Sequence, residues 1–335
     1  MAGAVDPVAL TRSLVDIDST TGREGEVAGW LARFLRDRGY TVTEQPLING
    51  RFNVFARLET PPSIVFSTHL DCVPPFFPSR EERGLLFGRG ACDAKGILAA
   101  QVTAAERLRE SGEERLALLY VAGEERGSDG ARLANQHAPE GVRFLVNGEP
   151  TDNRLGAATR GLLRVRLHAD GRAAHSSFPE LGVSAIDKLL DALMVIRGVV
   201  LPDDPLLGRT HYTVGLIEGG VAPNVVSPHA AAELAFRTVG DPAHVRQALQ
   251  VVDGVVRIEH VLDVPAVRLH TLPGFETAVF PYTTDVPWLT NWGTPILVGP
   301  GSIHVAHTDH EHVTLDELHG AVDIYESLGK RLLIN

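Results

Sequence analysis

Residues 116–125 read LALLYVAGEE: an uncharged run ending in two adjacent glutamates, Glu124 and Glu125. Apolar side chains at odd and even positions alike leave no wet face, so Leu116 to Gly123 predicts a buried strand. On its N-terminal side a helical pattern runs from Ala94 to Glu110 and stops at Gly112. Before that helix lie FNVFARL from Phe52 and SIVFSTH from Ser63, short apolar runs bounded by Pro or Gly that predict strands. On the C-terminal side, RFLVNG from Arg143 predicts another. Two helices open the chain. Asp6 and Pro7 have the types favoured at an N-cap and first helical position, and Leu10, Leu14 and Ile17 follow at helical spacing. Val27, Trp30, Leu31, Phe34 and Leu35 then form an apolar stripe ended by Gly39. Strands alternating with helices predict an α/β fold, with a largely parallel mixed sheet between helices.

The pattern changes near Leu155. From there to about His270, strand-like runs lie near Leu162–His168, His211–Ile217, Ala230–Arg237 and Val255–Val261. Helix-like runs lie near Val183–Ile196 and Asp241–Gln250. The order β-α-β-β-α-β is that of a small ferredoxin-like α+β domain. Afterwards PILVGPG from Pro295 is again a buried strand, and the tail from Thr314 reads as a closing helix. The expected organisation is a first domain of residues 1–156 and 271–335, interrupted by an inserted domain of residues 157–270. Two domains also suit 335 residues at roughly 150 per domain.

Composition excludes several function classes. A net charge of −11 argues against nucleic acid and anionic membrane surfaces, which need clustered Lys and Arg. It still admits a small anionic substrate, since one local Arg can bind one carboxylate. Two cysteines, Cys72 and Cys92, make no disulfide framework and fit a reducing compartment. No basic stretch followed by an apolar run opens the chain, and no apolar run approaches the ~20 residues of a membrane-spanning helix. The expected location is the cytoplasm, with no membrane partner.

In an open parallel sheet, ligands bind beyond the carboxyl ends of the strands. His69 follows SIVFST, Glu124 and Glu125 follow LALLYVAG, and Glu149 follows RFLVNG. His307 comes shortly after PILVGPG, in a loop that also holds His304, His310 and His312, and spacing alone does not choose among these four. Asp93 lies in the Gly-rich segment FGRGACDAKG just before a helix. That segment lacks the G-K-S/T ending of a phosphate loop, which rejects an NTPase. Imidazoles and carboxylates on one rim suit zinc. Asp93, Glu125 and Glu149 bring three negative charges. One divalent ion leaves the set negative; two ions and a bridging hydroxide bring it to zero, with Asp93 the natural bridge. Cys72 and Cys92 flank these positions and are read as small buried residues. Asp285, in YTTD, is read as capping a turn, with contact to a substrate side chain as the other reading.

These motifs resemble those of the co-catalytic zinc peptidases and deacylases that include acetylornithine deacetylase, succinyl-diaminopimelate desuccinylase, aminoacylase and glutamate carboxypeptidase. His69-Leu70-Asp71-Cys72-Val73-Pro74 is similar to the family's H-x-D-x-V-P signature. Gly88 to Gly96, Gly123-Glu124-Glu125, Asn147 to Thr151 and Gly299 to His307 resemble the others, in the family's order across almost the whole chain. The resemblance implies that His69 and Glu149 hold one ion, Glu125 and His307 the other, and Asp93 both. It implies that Asp71 orients His69 through the imidazole's far nitrogen. Glu124 is implied as the general base that takes a proton from the bridging water and delivers it to the leaving amine. In the inserted domain, Gly171-Arg172-Ala173-Ala174-His175-Ser176-Ser177 resembles a G-x-x-x-H-S-S segment whose His reaches the partner subunit's active site in a dimer. His175 is thereby expected to donate to the oxyanion, and Asn224 and Arg237 to bind substrate, Arg237 as a carboxylate clamp. The resemblance also makes the insert a lid and dimerisation domain, and the protein a homodimer.

GPGSIHVAH most resembles the acetylornithine deacetylase branch. The first expectation is therefore an amidohydrolase with two divalent ions, zinc first and cobalt or manganese next. It would deacetylate N-acetylornithine in arginine biosynthesis. N-acetylcitrulline or N-succinyl amino acid deacylation is the nearest alternative, and a dipeptidase or carboxypeptidase the next. A non-catalytic binder of acyl amino acids or peptides is the alternative of another class.

Overall fold

The uncharged run at residues 116–121 lies inside a six-stranded mixed sheet. In spatial order its strands are Thr41–Pro46, Phe52–Arg57, Leu116–Val121, Ile64–His69, Phe144–Asn147 and Thr294–Leu297. The last four are mutually parallel, and Phe52–Arg57 pairs antiparallel with both of its neighbours. Strands Ile64–His69 and Leu116–Val121 are buried at every residue, so both faces must be covered. Alternation divides them. Ile64, Phe66, Leu118 and Tyr120 face a core built with helices Pro7–Val15, Gly25–Asp37, Lys95–Glu110 and Leu315–Ile334. Val65, Ala117, Leu119 and Val121 face a smaller core with Ala131, Ala134, Leu289 and Trp292. The fold is the expected α/β architecture.

The computed structural model describes residues 3–334, in two compact units. The first comprises the chain up to Ala157, Leu269–Ala278 and the chain from Thr284; the second comprises Ala158–Arg268 and Val279–Thr283. The sequence reading gave the insert no such return. Val279–Thr283 joins the second unit beside the strand Leu155–Thr159, where the Arg160 N–H donates to the Phe280 carbonyl at 3.0 Å.

Within the second unit, strands Gly161–Asp170, His211–Gly219, His229–Thr238 and Arg257–Val264 form an antiparallel sheet. The spatial order is second, third, first, fourth. Helices Ala185–Arg197 and Pro242–Leu249 pack on it through Leu189, Ala192, Val245 and Leu249, against Leu163, Val165, Leu234 and Phe236. Local chemistry starts each helix. Ser184 Oγ accepts the Asp187 N–H at 3.1 Å, Asp241 Oδ1 accepts the Ala243 N–H at 2.8 Å, and in the first unit Asp6 Oδ1 accepts the Val8 N–H at 3.0 Å.

Three small sheets show no pattern in the sequence: Leu155–Thr159 with Val267–Arg268 and Thr277–Phe280, Leu85–Phe87 with Arg80–Glu82 and His312–Thr314, and Asp203–Asp204 with Gly208–Arg209. Strands of two to five residues are too short to display an alternating pattern. Among the described residues, no helix is long and apolar enough to cross a membrane.

The central strand makes a stability test available. Leu118 is fully buried, and Leu118→Ala leaves a cavity in the main core. It is expected to cost about 2–5 kcal/mol in urea-induced unfolding. A loss under about 1 kcal/mol would contradict the packing described.

Candidate metal centre

Parallel register brings the strand ends to one rim. His69 pairs with Val121, Ser67 with both Leu119 and Asn147, and Leu297 with Asn147. The chain then continues from Val121 to Glu124 and Glu125, from Asn147 to Glu149, and from Leu297 toward His307. Two glycines make the exits possible. Gly123 has φ 82°, and a Cβ there would lie 2.1 Å from Asp129 Oδ1. A Cβ on Gly148 would lie 2.2 Å from Ile97 Cγ2.

Asp93 is nearly buried and stands between two imidazoles. Its Oδ1 lies 2.9 Å from His69 Nε2, and its Oδ2 lies 3.3 Å from His307 Nε2. His307 Nε2 is also 2.8 Å from Glu125 Oε1. His69, Asp93 and Glu125 offer ligand atoms all within 4.8 Å of one another. Glu149 is buried beside them, and its carboxyl is pushed well up by burial first and then by the charge of Asp93.

The far nitrogen of His69 decides what this cluster can hold. Nδ1 lies 2.9 Å from the main-chain carbonyl oxygen of Asp71, which only accepts, so Nδ1 carries a proton. In a neutral ring the Nε2 lone pair then faces a carboxylate oxygen. Two such lone pairs repel unless a positive charge lies with them, as a second ring proton or as a cation. With protons alone, burial disfavours charge on His69, yet Asp71 and Asp93 outweigh it and hold its pKa well above the usual range. Asp93 and Glu125 raise His307 to about 10. Divalent cations would meet the same demand with harder bonds, and the donors are of the right kind: two imidazole nitrogens and carboxylates, with each oxygen of Asp93 toward a different histidine. The residues fit two divalent ions.

Asp71 does more than orient His69. Its main-chain oxygen is the nearer partner of the His69 ring, and its carboxylate, 3.6 Å from Nδ1, adds an electrostatic hold on the same nitrogen. The fully buried carboxylate also accepts three successive amides, from Gly123 at 2.9 Å, Glu124 at 3.0 Å and Glu125 at 3.2 Å, and the Thr21 hydroxyl at 2.9 Å. It therefore fixes the loop that carries the Glu pair. On that loop Glu124 is pushed well above the usual carboxylate range, by burial first and then by the charges of Glu149 and Asp285.

Other assignments also change on inspection. Asp285 begins the short turn Val286–Trp288 without capping it; the Val286 N–H is taken by Thr284 Oγ1 at 3.2 Å. Its own carboxyl is buried, which raises its pKa to about 7. Cys72 and Cys92 are free and buried, and burial raises both thiols away from the thiolate form that binds metal. Sequence reasoning missed Glu311, which is buried and accepts the amides of Gly90, Cys92 and Asp93. It sits between His310 and His312, in a run whose histidines carry the metal-ligand signal.

His175, Asn224 and Arg237 belong to the second unit. The segments of His175 and Asn224 are tied together, with the Ser176 N–H donating to the Asn224 carbonyl at 2.9 Å and His175 bridged to Val225. His175 Nδ1 accepts the Ser177 N–H at 3.1 Å, which leaves Nε2 as the donor of an exposed neutral ring. Arg237 is half-buried on the sheet face, and burial alone lowers its pKa. Among the described residues no acid pairs with it, whereas Arg164 on the same sheet is paired with Glu233.

Comparison with known proteins gives a consistent result. The model of peptidase family M20/M25/M40 matches residues 65–331. A peptidase M20 domain-containing protein of Schizosaccharomyces pombe is 34% identical over 96% of this chain and 83% of its own length. A probable carboxypeptidase of Emericella nidulans is 37% identical over 96% of this chain and 88% of its own. The solved structure of aminopeptidase PepT from Bacillus cereus superposes with a TM-score of 0.82 at 20% identity, covering 99% of this chain and 100% of that one.

The charge argument has a direct test. Treatment with a strong chelator followed by desalting is expected to lower the melting temperature, and added Zn²⁺ or Co²⁺ to restore it. A melting temperature indifferent to both would count against a metal centre.

Proposed function

The chain belongs to peptidase family M20/M25/M40, and on that premise we propose that it cleaves a peptide bond beside a free C-terminal carboxylate, as a carboxypeptidase or dipeptidase does. The observation that carries the reading is Asp93 between His69 and His307, with the raised-pKa carboxyl of Glu124 on the neighbouring loop. The name of the Emericella nidulans relative supports a carboxypeptidase. Arg237, a guanidinium with no acid partner among the described residues, supports recognition of a carboxylate. Neither observation singles out an acetylated amino acid, so the peptidase reading takes precedence over N-acetylornithine deacetylation and its acetylcitrulline and succinyl variants.

In this reading His69, Asp93, Glu125, Glu149 and His307 would hold two divalent ions, zinc first and cobalt or manganese as substitutes. When bound, such ions lower the pKa of water and polarise the amide carbonyl. The protein's own groups do the rest. Glu124 takes a proton from the attacking water, for which a raised pKa is the right property, and hands it to the leaving amine. His175, with its Nε2–H free, donates to the oxyanion as the tetrahedral centre forms. Arg237 clamps the terminal carboxylate, and Asn224, on the segment tied to that of His175, is a further substrate contact. A non-catalytic binding role would leave the raised carboxyl of Glu124 without a task. A homodimer through the second unit is part of the proposal, supported by the edge strand His211–Gly219, where Leu216 is 64% and Ile217 59% exposed.

Turnover of a substrate panel tests this. Dipeptides and peptides with a free C-terminus should be hydrolysed faster than N-acetylornithine, N-acetylcitrulline or N-succinylornithine, and C-terminal amidation should abolish cleavage. Preference for any acyl amino acid would reverse the assignment. Glu124→Gln is expected to keep its metal and lose about 10²–10⁴ in kcat. Arg237→Met is expected to lower kcat/KM for peptides about 10–100-fold, the worth of a charged hydrogen-bonded contact. An unchanged kcat/KM would remove Arg237 from the substrate site.

A further inference from the structure

We infer that Glu311 is a positioning residue for the metal centre: it sets where Asp93 stands and ties the loop of Asp93 to the loop of His307. The inference rests on the two-ion reading above. The carboxylate divides its work between its oxygens. Oε1 accepts the amides of Gly90 at 3.0 Å, Cys92 at 3.2 Å and Asp93 at 3.0 Å. Oε2 accepts Arg89 Nη1 at 2.6 Å. Arg89 is itself held, since its Nε donates to the Pro75 carbonyl at 3.1 Å and its guanidinium lies 4.9 Å from the Phe77 ring centre. Both side chains are 1% exposed. The Gly88 N–H adds a bond to the main-chain oxygen of Glu311 at 3.2 Å.

From Glu311 the connection continues to the second histidine. His307 lies four residues earlier, with φ 63°. The intervening turn is closed by the Glu311 N–H on the Thr308 carbonyl, the Thr308 N–H on the Val305 carbonyl, and the His310 N–H on the Thr308 hydroxyl. Asp93 and His307 are 214 positions apart in sequence (307 less 93), yet one carboxylate spans the gap. The arrangement parallels that of Asp71, whose carboxylate accepts the amides of Gly123, Glu124 and Glu125.

The chemistry demands a carboxylate here. Both oxygens of Glu311 meet only donors. A glutamine offers one carbonyl and one NH₂, so whichever way it turns, a donor faces Arg89 or the three amides. The loop must shift, and Asp93 shifts with it. A partner that orients a ligand is worth about 10–100-fold in metal affinity.

The test is a Co²⁺ titration of the metal-depleted full chain, followed by calorimetry and visible absorption, for wild type, Glu311→Gln and the double variant Arg89→Met/Glu311→Leu. Urea unfolding of each runs alongside. Wild type should bind two Co²⁺. Glu311→Gln should bind at least one of them about 10–100-fold more weakly, with an altered Co²⁺ spectrum. The double variant replaces the buried ion pair by apolar side chains and leaves the three amides without their acceptor, so it should recover stability relative to Glu311→Gln while affinity stays low. Wild-type affinity and spectrum in Glu311→Gln would overturn the inference, as would recovery of affinity together with stability in the double variant. Fewer than two Co²⁺ in wild type would instead refute the two-ion reading itself.

Discussion

Asp93 lies between two imidazoles with one oxygen turned toward each, and the rest of the first unit is arranged to keep it there. The constraint is electrostatic. Asp93, Glu125, Glu149 and Glu124 share one rim, and burial makes the negative charge of each costly. Such a set is tolerable only with positive charge among it. Even fully protonated, His69 and His307 bring two positive charges against these four carboxyl groups. Divalent cations resolve the imbalance, and the same property makes them effective in hydrolysis.

Holding such a set requires backbone that cannot drift. The parallel strands supply part of this, since their registers fix where His69, Glu125 and Glu149 leave the sheet. The loops need more, and each receives it from a buried carboxylate that accepts three amides. Asp71 grips the loop of Glu124 and Glu125; Glu311 grips the loop of Asp93. These carboxylates are satisfied by hydrogen bonds rather than by a metal. The division of labour explains how so many acids coexist: some are anchored by amides, the others await cations.

Much of this was legible from the chain alone. Long uncharged runs such as LALLYVAG and SIVFSTH have to be buried, and parallel strands present their carboxyl ends to one edge, so the rim followed. The ferredoxin-like order of the second unit followed from runs long enough to show their periodicity. What stayed hidden depends on tertiary contact. Nothing in the spacing of His304, His307, His310 and His312 reveals that His307 alone meets Asp93 and Glu125, because a left-handed backbone turn decides it. Glu311 reads as one more charged loop residue until burial against Arg89 is seen. Asp71 stands close enough to His69 to suggest a side-chain contact, and only the fold shows that its main-chain oxygen is nearer and that its carboxylate also holds the Glu loop. The return of Val279–Thr283 to the second unit is set by pairing with a short strand that carries no pattern of its own.

Anomalous diffraction at the zinc absorption edge, from crystals of the zinc-loaded protein, addresses the central claim most directly. Two peaks are expected beside Asp93, one on the His69 side and one on the His307 side, with the Asp93 carboxylate in contact with both. A single peak, or two peaks away from Asp93, would contradict the account.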